Sequence, residues 1–507
     1  MGAGQSKELA GPASREKQAV TESLSKLELK DDFALVDDDD HEMPPAYSSA
    51  SRTTTISISQ AQKWEKKLLQ DPKNRLALSA LSVNPASAIL TNPAATVGDI
   101  HTFNIKIPFE GAPITNQRQS GRCWLFASTN VFRVAMMKTY NLKEFELSQS
   151  YLFYWDKIEK ANWFLENMID TAGEELDGRL VQSLFDSPVG DGGQWDMAAN
   201  LVRKYGLIPQ QLYPDAYHAK NSSVMDSLIT TKLREQALAL RDMTKSKDTA
   251  VRASIGDAKD KFLQEIHSIL TIMLGPPPFP TEKFTWQYYD TDGKYHELSM
   301  TPTEFSASLS SRQGLRACAG TDVHELFSLV NDPRNSYTRL LTVDRLGNVV
   351  RGQPVTYVNV DMETMKNSAI SMLNVGIPVF FGCDVGKHSN PSLGIMDTAL
   401  YDYTLGFNVK FGMTKAQRLR TGESAMTHAM VLTGVQVENG KPVRWRVENS
   451  WGKERGDQGY FVMTDKWMDE FVYQVVVDPR FVSTAVRGVL KQTPLTLPLW
   501  DPMGALA

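Results

Sequence analysis

Cysteine is scarce in this chain, which has three among its 507 residues: Cys123, Cys318 and Cys383. So few cysteines over this length exclude a disulfide framework and favour a reducing compartment. No run of about 18 or more apolar residues occurs, so no transmembrane helix is expected. The first residues also lack the apolar segment of a secretory signal peptide. We therefore expect a cytoplasmic protein, with 42% hydrophobic residues to build a large core.

Basic residues are outnumbered in the first 50 positions, which hold five Lys/Arg and eleven Asp/Glu, a net charge of −6. The whole chain carries −5, so the remainder is nearly neutral. An acidic segment of low hydrophobicity is typical of disorder, and we expect a disordered leader over residues 1–58. A mitochondrial pool is left open, but no presequence is visible, because a presequence would be rich in arginine and poor in acids.

The start of the chain matches the pattern for N-myristoylation, with glycine after the initiator methionine and serine at position six. Gly2 is therefore a lipidation candidate; the alternative is a flexible start made of small residues. One acyl chain binds membranes only marginally, and the nearby acidic residues oppose an anionic surface. A lipidated N-terminus would thus give a weak membrane association.

Four residues occur in an order that points to nucleophilic catalysis: Gln117, Cys123, His428 and Asn449, the last within Asn-Ser-Trp-Gly. A thiol attacks a carbonyl well only as a thiolate, so it needs a base, a lowered pKa and donors for the oxyanion. His428 is the candidate base, and Asn449 would orient its ring behind the shield of Trp451. Gln117 would join the backbone N–H of Cys123 as an oxyanion donor. This chemistry requires no metal or cofactor, and none is expected.

The surroundings of the cysteine predict a helix that begins at the nucleophile. Ser120 or Gly121 is a plausible helix cap, and the apolar spacing predicts a helix from Cys123 to Tyr140. Unpaired N–H groups in the first turn of a helix favour a negative charge. Arg122 would add a cation beside the sulfur. Any one of these residues alone is more commonly structural, but their order and local contexts favour catalysis.

Further along, a double glycine, Gly192-Gly193, is either a simple turn or a cleft wall that lets a substrate backbone approach closely. We favour the cleft wall. Helical patterns surround the cysteine, while strand patterns carry the histidine and the asparagine, which predicts an α+β fold with two lobes. The predicted segments are a helical lobe over 59–211, a mainly helical insertion over 212–350, a strand-rich lobe over 351–494 and a tail over 495–507. Within them, helices are predicted from Ala61 to Leu69, after a cap at Ser148, and between Asp226 and Leu274, where Gly275 and the prolines after it end the helical pattern. Strands are predicted over 355–360, 378–383, 429–434, 443–447 and 459–463.

Four longer stretches show a resemblance to a known family: SQSYLFYWDK from Ser148, DGGQWDM from Asp191, GCDVGK from Gly382 and GESAMTHAM from Gly422. With these stretches the chain closely resembles the bleomycin hydrolase family, a self-compartmentalised aminopeptidase branch of the papain superfamily. The resemblance covers about residues 61–507 and leaves out the acidic leader.

This resemblance implies a papain-like two-lobed cysteine peptidase fold with a helical insertion, and a homohexameric barrel whose active sites face an inner channel. It implies the roles given above for the four catalytic candidates. It also implies a broad aminopeptidase activity on peptides, with hydrolysis of the bleomycin amide and of homocysteine thiolactone. Some relatives bind DNA, but residues 220–265 hold nine Lys/Arg against seven Asp/Glu, so only a weak DNA interaction is left open.

The resemblance also gives the tail, Leu495 to Ala507, a place in the active-site cleft. There the Ala507 carboxylate would attract the free amino group of a substrate and block longer chains. The alternative is a flexible end or an edge strand packed on the core. The candidate substrate contacts are thus Gly192, Gly193, Trp451 and Ala507.

Two functions of other classes stay open. One is a Cys-His acyl transferase that passes the acyl group to an amine, although the Asn-Ser-Trp-Gly context argues against it. The other is a DNA-binding regulator with incidental peptidase activity.

Overall fold

The structure, a computed structural model, describes residues 56–108, 110, 112–310, 322 and 324–506. Four expectations fall outside these residues. They concern the lipidation candidate Gly2, the acidic leader up to residue 55, the cysteine at position 318 and the C-terminal Ala507.

The chain divides into two units, residues 1–70 and residues 71–507. The described part of the first unit is a helix, Ile58–Leu69, which begins three residues before the predicted start at Ala61. The reason is its cap, because the Ser57 hydroxyl accepts the backbone N–H of Gln60 at 3.1 Å.

The second unit contains both lobes. Its described α-helices are Pro72–Leu81, Ala86–Leu90, Pro93–Gly98, Cys123–Thr139, Gln149–Asp170, Arg179–Asp186, Trp195–Tyr205, Tyr217–Lys220, Ser223–Lys245, Thr249–Ala253, Ile255–Leu274, Pro302–Ser310, Met362–Asn374, Tyr403–Phe407, Lys415–Thr421, Asp465–Phe471 and Thr484–Val489. Short 3-10 turns are Gln210–Leu212, Pro479–Phe481 and Pro502–Gly504. None of the described helices is both long and apolar enough to cross a membrane.

The described strands are β1 (Ile105–Lys106), β2 (Phe284–Tyr289), β3 (Tyr295–Met300), β4 (Phe327–Val330), β5 (Arg339–Val343), β6 (Tyr357–Asn359), β7 (Val379–Cys383), β8 (Ser389–Asn390), β9 (Ile395–Met396), β10 (His428–Glu438), β11 (Lys441–Glu448), β12 (Tyr460–Thr464), β13 (Val472–Val477) and β14 (Leu495–Leu497). One sheet has the order β14-β5-β6-β4-β13-β7-β10-β11-β12-β9-β8, with β1 paired to β10. A separate hairpin joins β2 and β3. Most pairs are antiparallel; β4–β6, β5–β14 and β9–β12 are parallel.

Two helices build the side of the core that faces the site. The helix Cys123–Thr139, here called the cysteine helix, is buried on almost all sides and packs against β10. The helix Gln149–Asp170, here called the lysine helix, begins after Ser148, whose hydroxyl accepts the Tyr151 N–H at 3.1 Å. That cap is the one expected from the sequence.

The predicted helices between 226 and 274 are present, and Gly275 ends the last of them at a φ of +85°. However, β4 and β5 lie within the segment expected to be mainly helical, and both join the large sheet. All four residues of β4, Phe-Ser-Leu-Val, are buried, so this strand lacks the alternation of apolar and polar residues that marks a half-exposed strand. A short apolar run of this kind does not distinguish strand from helix.

Candidate active site

The three residues of the predicted catalytic relay each stand at the end of a regular element. Cys123 is the first residue of the cysteine helix, His428 is the first of β10, and Asn449 directly follows β11. Because β10 and β11 pair antiparallel, with Val431 opposite Glu448, these two strand ends lie side by side. The sheet thus places the histidine beside the asparagine.

The ring of His428 is oriented by an amide oxygen. Its Nε2 lies 2.9 Å from Asn449 Oδ1, which also accepts the backbone N–H of Ser450 at 2.8 Å. Because a carbonyl oxygen only accepts, Nε2 carries the proton of the neutral ring and Nδ1 is left as the base. The ring of Trp451 lies over the imidazole with its centroid 4.8 Å away, as expected for a shield.

The nucleophile faces the same strand end. The backbone N–H of Ala429, the neighbour of His428, hydrogen-bonds the sulfur of Cys123. Both candidate catalytic side chains are buried, with exposed fractions of 2% for Cys123 and 4% for His428. The cysteine and the histidine, which are 305 positions apart, are therefore brought together by packing of helix on sheet.

Gln117 is held in place by four hydrogen bonds, one of which the Ser120 hydroxyl donates to its backbone carbonyl at 2.7 Å. Its backbone N–H donates to the Ser450 carbonyl at 2.8 Å, and its side-chain oxygen accepts from the Ser450 hydroxyl at 2.7 Å. The side-chain Nε2 donates one hydrogen to the Ser120 carbonyl at 2.7 Å. The second hydrogen of this nitrogen is the one that an oxyanion would use.

Burial dominates the protonation of the pair in the resting site. It raises the pKa of the Cys123 thiol from 9.0 to about 11, although backbone N–H groups of Ala429, Trp124 and Cys123 itself pull the value down. It lowers the pKa of His428 from 6.5 to about 4, against the opposing effect of Asn449. Each group alone thus prefers its neutral form. An ion pair of thiolate and imidazolium therefore has to form by proton transfer from Cys123 to His428 within the site, where each new charge gains an opposite partner.

Two expectations about the neighbourhood of the cysteine were wrong. The N-cap position of the cysteine helix is occupied by Arg122, and not by Ser120 or Gly121. The Arg122 side chain makes no capping hydrogen bond. The Arg122 guanidinium is not a free cation, because it forms two hydrogen bonds of 3.0 and 2.9 Å with the Asp215 carboxylate. Its charge is compensated there, so the helix end and the backbone N–H groups remain as local stabilisers of a thiolate.

The glycine pair lies in the loop formed by residues 189–193, here called the cleft loop. A Cβ on Gly193 would stand 2.4 Å from the Trp124 ring, so close packing on the residue after the nucleophile requires glycine there. Gly192 contributes a backbone contact, since its carbonyl accepts from Lys160 at 2.6 Å.

Each backbone carbonyl from residue 189 to residue 192 accepts a hydrogen bond from a buried side chain. Sequence analysis did not predict these contacts. The bonds run from Lys157 Nζ to Val189 at 2.5 Å, from Lys160 Nζ to Gly190 at 2.7 Å, from Trp124 Nε1 to Asp191 at 2.7 Å and from Lys160 Nζ to Gly192 at 2.6 Å. The lysine helix therefore fixes the direction of the cleft-loop backbone. The only signal in the sequence is that both lysines stand among apolar and aromatic neighbours.

The Asp191 side chain connects this loop to the loop before the nucleophile. Its carboxylate accepts the backbone N–H of Gly121 at 2.7 Å, the Ser222 hydroxyl at 2.5 Å and the Lys157 ammonium at 2.7 Å. Lys157 also binds Asp226 at 2.6 Å. The start of the inserted helix Ser223–Lys245 is thereby tied to the catalytic loop.

The described part of the tail ends beside the cleft loop. Strand β14 runs parallel to β5, and the Asp501-Pro502 turn redirects the chain. The Ala505 carbonyl then accepts the side-chain N–H of Gln194 at 2.7 Å. Gln194 directly follows the glycine pair, so the tail reaches the same wall as the predicted substrate contacts.

Known proteins resemble this chain over most of its length. The model of the Peptidase C1-like family matches residues 55–504. Bleomycin hydrolase of Mus musculus is 42% identical over 450 residues, which cover 87% of this chain and 96% of that protein. "Cysteine proteinase 1, mitochondrial" of Saccharomyces cerevisiae is 42% identical over 465 residues, which cover 90% of this chain and 94% of that protein. The crystal structure of PepW from Lactobacillus rhamnosis matches with a TM-score of 0.84 at 41% identity, covering 89% of this chain and 99% of that one.

These likenesses confirm the resemblance seen in the sequence motifs and the papain-like α+β fold. They also agree with the geometry of the site, in which a buried cysteine at a helix start faces a histidine held by an asparagine. The chain belongs to the Peptidase C1-like family and is a cysteine peptidase, related to the bleomycin hydrolases.

Proposed function

We propose that this cysteine peptidase is an aminopeptidase that removes N-terminal residues from peptides. The observation that carries the proposal is the hydrogen bond between Gln194 and the Ala505 carbonyl. Gln194 follows the glycine pair, and Gly193 packs on Trp124 beside the nucleophile. This chain of contacts supports a tail that fills the end of the cleft on the amino-terminal side of the scissile bond.

A tail in that position changes which peptides fit. It leaves room for one substrate residue before the scissile bond and blocks a chain that continues further. The carboxylate of Ala507 would then meet the free amino group of the substrate, and opposite charges in a partly closed cleft attract strongly. An N-blocked peptide lacks that charge and has no place for its extra group.

The chemical steps follow from the site. Cys123 passes its proton to Nδ1 of His428 and attacks the substrate carbonyl, forming a tetrahedral oxyanion. The backbone N–H of Cys123 and the side chain of Gln117 donate to that oxyanion. His428 then gives the proton to the departing amine, and a water molecule activated by the same ring releases the acyl group from sulfur. Asn449 keeps the ring in the required tautomer throughout.

The test is removal of residues 505–507. With aminoacyl coumarylamides, the truncated enzyme should lose about 10–100-fold in kcat/KM, because a contact between charged groups contributes about 1.5–3 kcal/mol. Cleavage of N-acetylated peptides should appear at the same time. The matched control is Leu506→Ala, which keeps the length and the terminal carboxylate and should keep the requirement for a free amino group. An unchanged requirement after truncation would show that the tail is only structural.

Several finer expectations from the family remain predictions for the same enzyme: hydrolysis of the bleomycin amide and of homocysteine thiolactone, a homohexamer and weak DNA binding. Myristoylation of Gly2, expected from the N-terminal sequence pattern, also remains a prediction. Cytoplasmic location is also a prediction, and the name of the yeast relative adds mitochondria as a second compartment to examine. The acyl-transferase alternative predicts transfer to an added amine in preference to water. The DNA-regulator alternative predicts a salt-dependent DNA affinity that survives loss of Cys123.

A further inference from the structure

The chain contains two copies of an Asp-Pro-Arg motif with the same local geometry, Asp332-Pro333-Arg334 and Asp478-Pro479-Arg480. In each, the aspartate accepts from the backbone N–H, the Nε and one terminal nitrogen of the arginine two residues later. The proline leaves little freedom to the backbone between them. The motif therefore holds the guanidinium rigidly before it meets any other partner.

The first copy reaches the C-terminal tail. Arg334 uses the same terminal nitrogen to bind Asp501 at 2.7 Å, and both side chains are 11% exposed. Asp332, the other partner, is fully buried. One guanidinium thus pairs with two carboxylates at a site that is largely shielded from solvent. Removal of one partner from such a site has a large effect on stability.

Asp501 stands where the tail changes direction. Its carboxylate also accepts the Met503 N–H at 2.8 Å and so starts the 3-10 turn Pro502–Gly504. Met503 is buried, and a Cβ on Gly504 would lie 3.0 Å from the Val343 side chain. The chain is therefore fixed from Asp501 to Gly504, one residue before the carbonyl that binds Gln194.

We propose that Arg334 is a positioning residue that determines the exopeptidase specificity of the enzyme, because it fixes Asp501 and through it the end of the tail in the cleft. The inference rests on the proposed function, since it concerns the same tail. Arg334 touches neither substrate nor nucleophile. It acts by holding the last residues of the tail at a fixed position in the cleft. That position determines how many substrate residues fit before the scissile bond.

A purely structural role for this ion pair predicts something else. Loss of the pair would then lower stability and would reduce activity on all substrates alike. A positioning role predicts a change in the ratio of two activities, because a tail that leaves its place admits N-blocked peptides while it fails to hold free amino groups.

The variant that separates these cases is Asp501→Asn. Asparagine caps a helical turn as well as aspartate does, so the Met503 N–H keeps its acceptor while the charge is lost. The matched control is Asp478→Asn, because Asp478 also starts a 3-10 turn, Pro479–Phe481, and also pairs with the arginine of its motif. Arg334→Lys is the conservative variant, since lysine keeps the charge but cannot bridge both carboxylates with a planar fork.

The measured quantity is the ratio of kcat/KM for an N-acetylated peptide to that for the same peptide with a free amino group. We expect Asp501→Asn to raise this ratio about tenfold, with a smaller rise for Arg334→Lys and no change for Asp478→Asn. The enzyme lacking residues 505–507 gives the upper limit. If truncation raises the ratio but Asp501→Asn does not, Arg334 has no role in specificity while the aminopeptidase proposal stands. If truncation leaves the ratio unchanged, both proposals fail, and an equal effect of Asp478→Asn would also overturn the inference.

Discussion

The burial of His428 has a measurable consequence for the stability of the fold in acid. The pKa of the ring falls from 6.5 to about 4 because the charged form loses its water, and the bond to Asn449 compensates only in part. Because the Cys123 thiol can exchange a proton with His428, the prediction is made for the variant Cys123→Ala. In that variant no thiolate can form next to the ring.

The sign follows from the two pKa values. A folded-state pKa below the unfolded value means that protons bind the unfolded chain more tightly, so stability is present above pH 6.5 and is lost as pH falls towards 4. At a pH of about 5 the unfolded ring is almost fully protonated while the folded ring is neutral. The resulting loss is about 2 kcal/mol, approaching about 3 kcal/mol below the folded pKa.

The assay is urea unfolding of Cys123→Ala and of Cys123→Ala/His428→Gln at about pH 8 and about pH 5. The difference between the two proteins removes the contributions of all other titrating groups. We expect the single variant to lose about 2 kcal/mol more than the double variant on acidification. Equal losses would refute the claim that the fold buries a neutral imidazole.

Urea unfolding of the wild type does not separate an ion pair from a neutral pair, because transfer of the Cys123 proton to His428 leaves the number of bound protons unchanged. Acidification should therefore cost the wild type at least as much as it costs Cys123→Ala. The resting thiolate is measured by alkylation instead. Cys123 in an ion pair should react with iodoacetamide at neutral pH far faster than Cys383, because burial raises the pKa of the Cys383 thiol. Equal rates would show that the resting pair is neutral and that the thiolate forms only with substrate bound.

Two further predictions concern residues that orient the site. Asn449→Ala should lower kcat/KM about 10–100-fold, less than His428→Ala, because the asparagine orients the ring and transfers no proton. Lys160→Met should lower the free energy of unfolding by about 3–5 kcal/mol, because it leaves two carbonyls and the fully buried Asp156 without their cation. Urea unfolding checks this, and Lys160→Met/Asp156→Asn should recover part of the loss; no recovery would contradict the role of the buried pair.

The catalytic candidates could be predicted because each carries its own local context. The glutamine and cysteine share one short segment, and the asparagine stands within Asn-Ser-Trp-Gly, so neither depends on knowing the rest of the fold. The Ser148 cap was predictable for the same reason, since capping involves residues three apart. Strands β7 and β10 to β12 were also found, because β7, β10 and β12 contain apolar runs and β11 alternates apolar and basic residues, a pattern typical of strands.

Besides the cap of the cysteine helix and strands β4 and β5, the sequence analysis went wrong on electrostatics over long sequence separations. Arg122 was expected to act on the sulfur, but Asp215, 93 positions away, takes its charge. Lys157 and Lys160 were not singled out, although they hold the cleft loop. In each case the decisive partner is a carboxylate or a carbonyl that the sequence does not mark as close.

The buried lysines show why such contacts escape local reasoning. A lysine in a helix is normally solvated, and burying its ammonium without partners is costly. Here the cost is offset by Asp156 on the same helix, by Asp191 and Asp226, and by three backbone carbonyls. Asp191 and the three carbonyls become available only when the cleft loop folds over the lysine helix. The loop conformation and the lysine burial therefore depend on each other. The hydrophobic pattern of the helix does not show this dependence. A lysine within a mostly apolar helix therefore indicates that another segment of the chain covers the helix and supplies partners for the ammonium group.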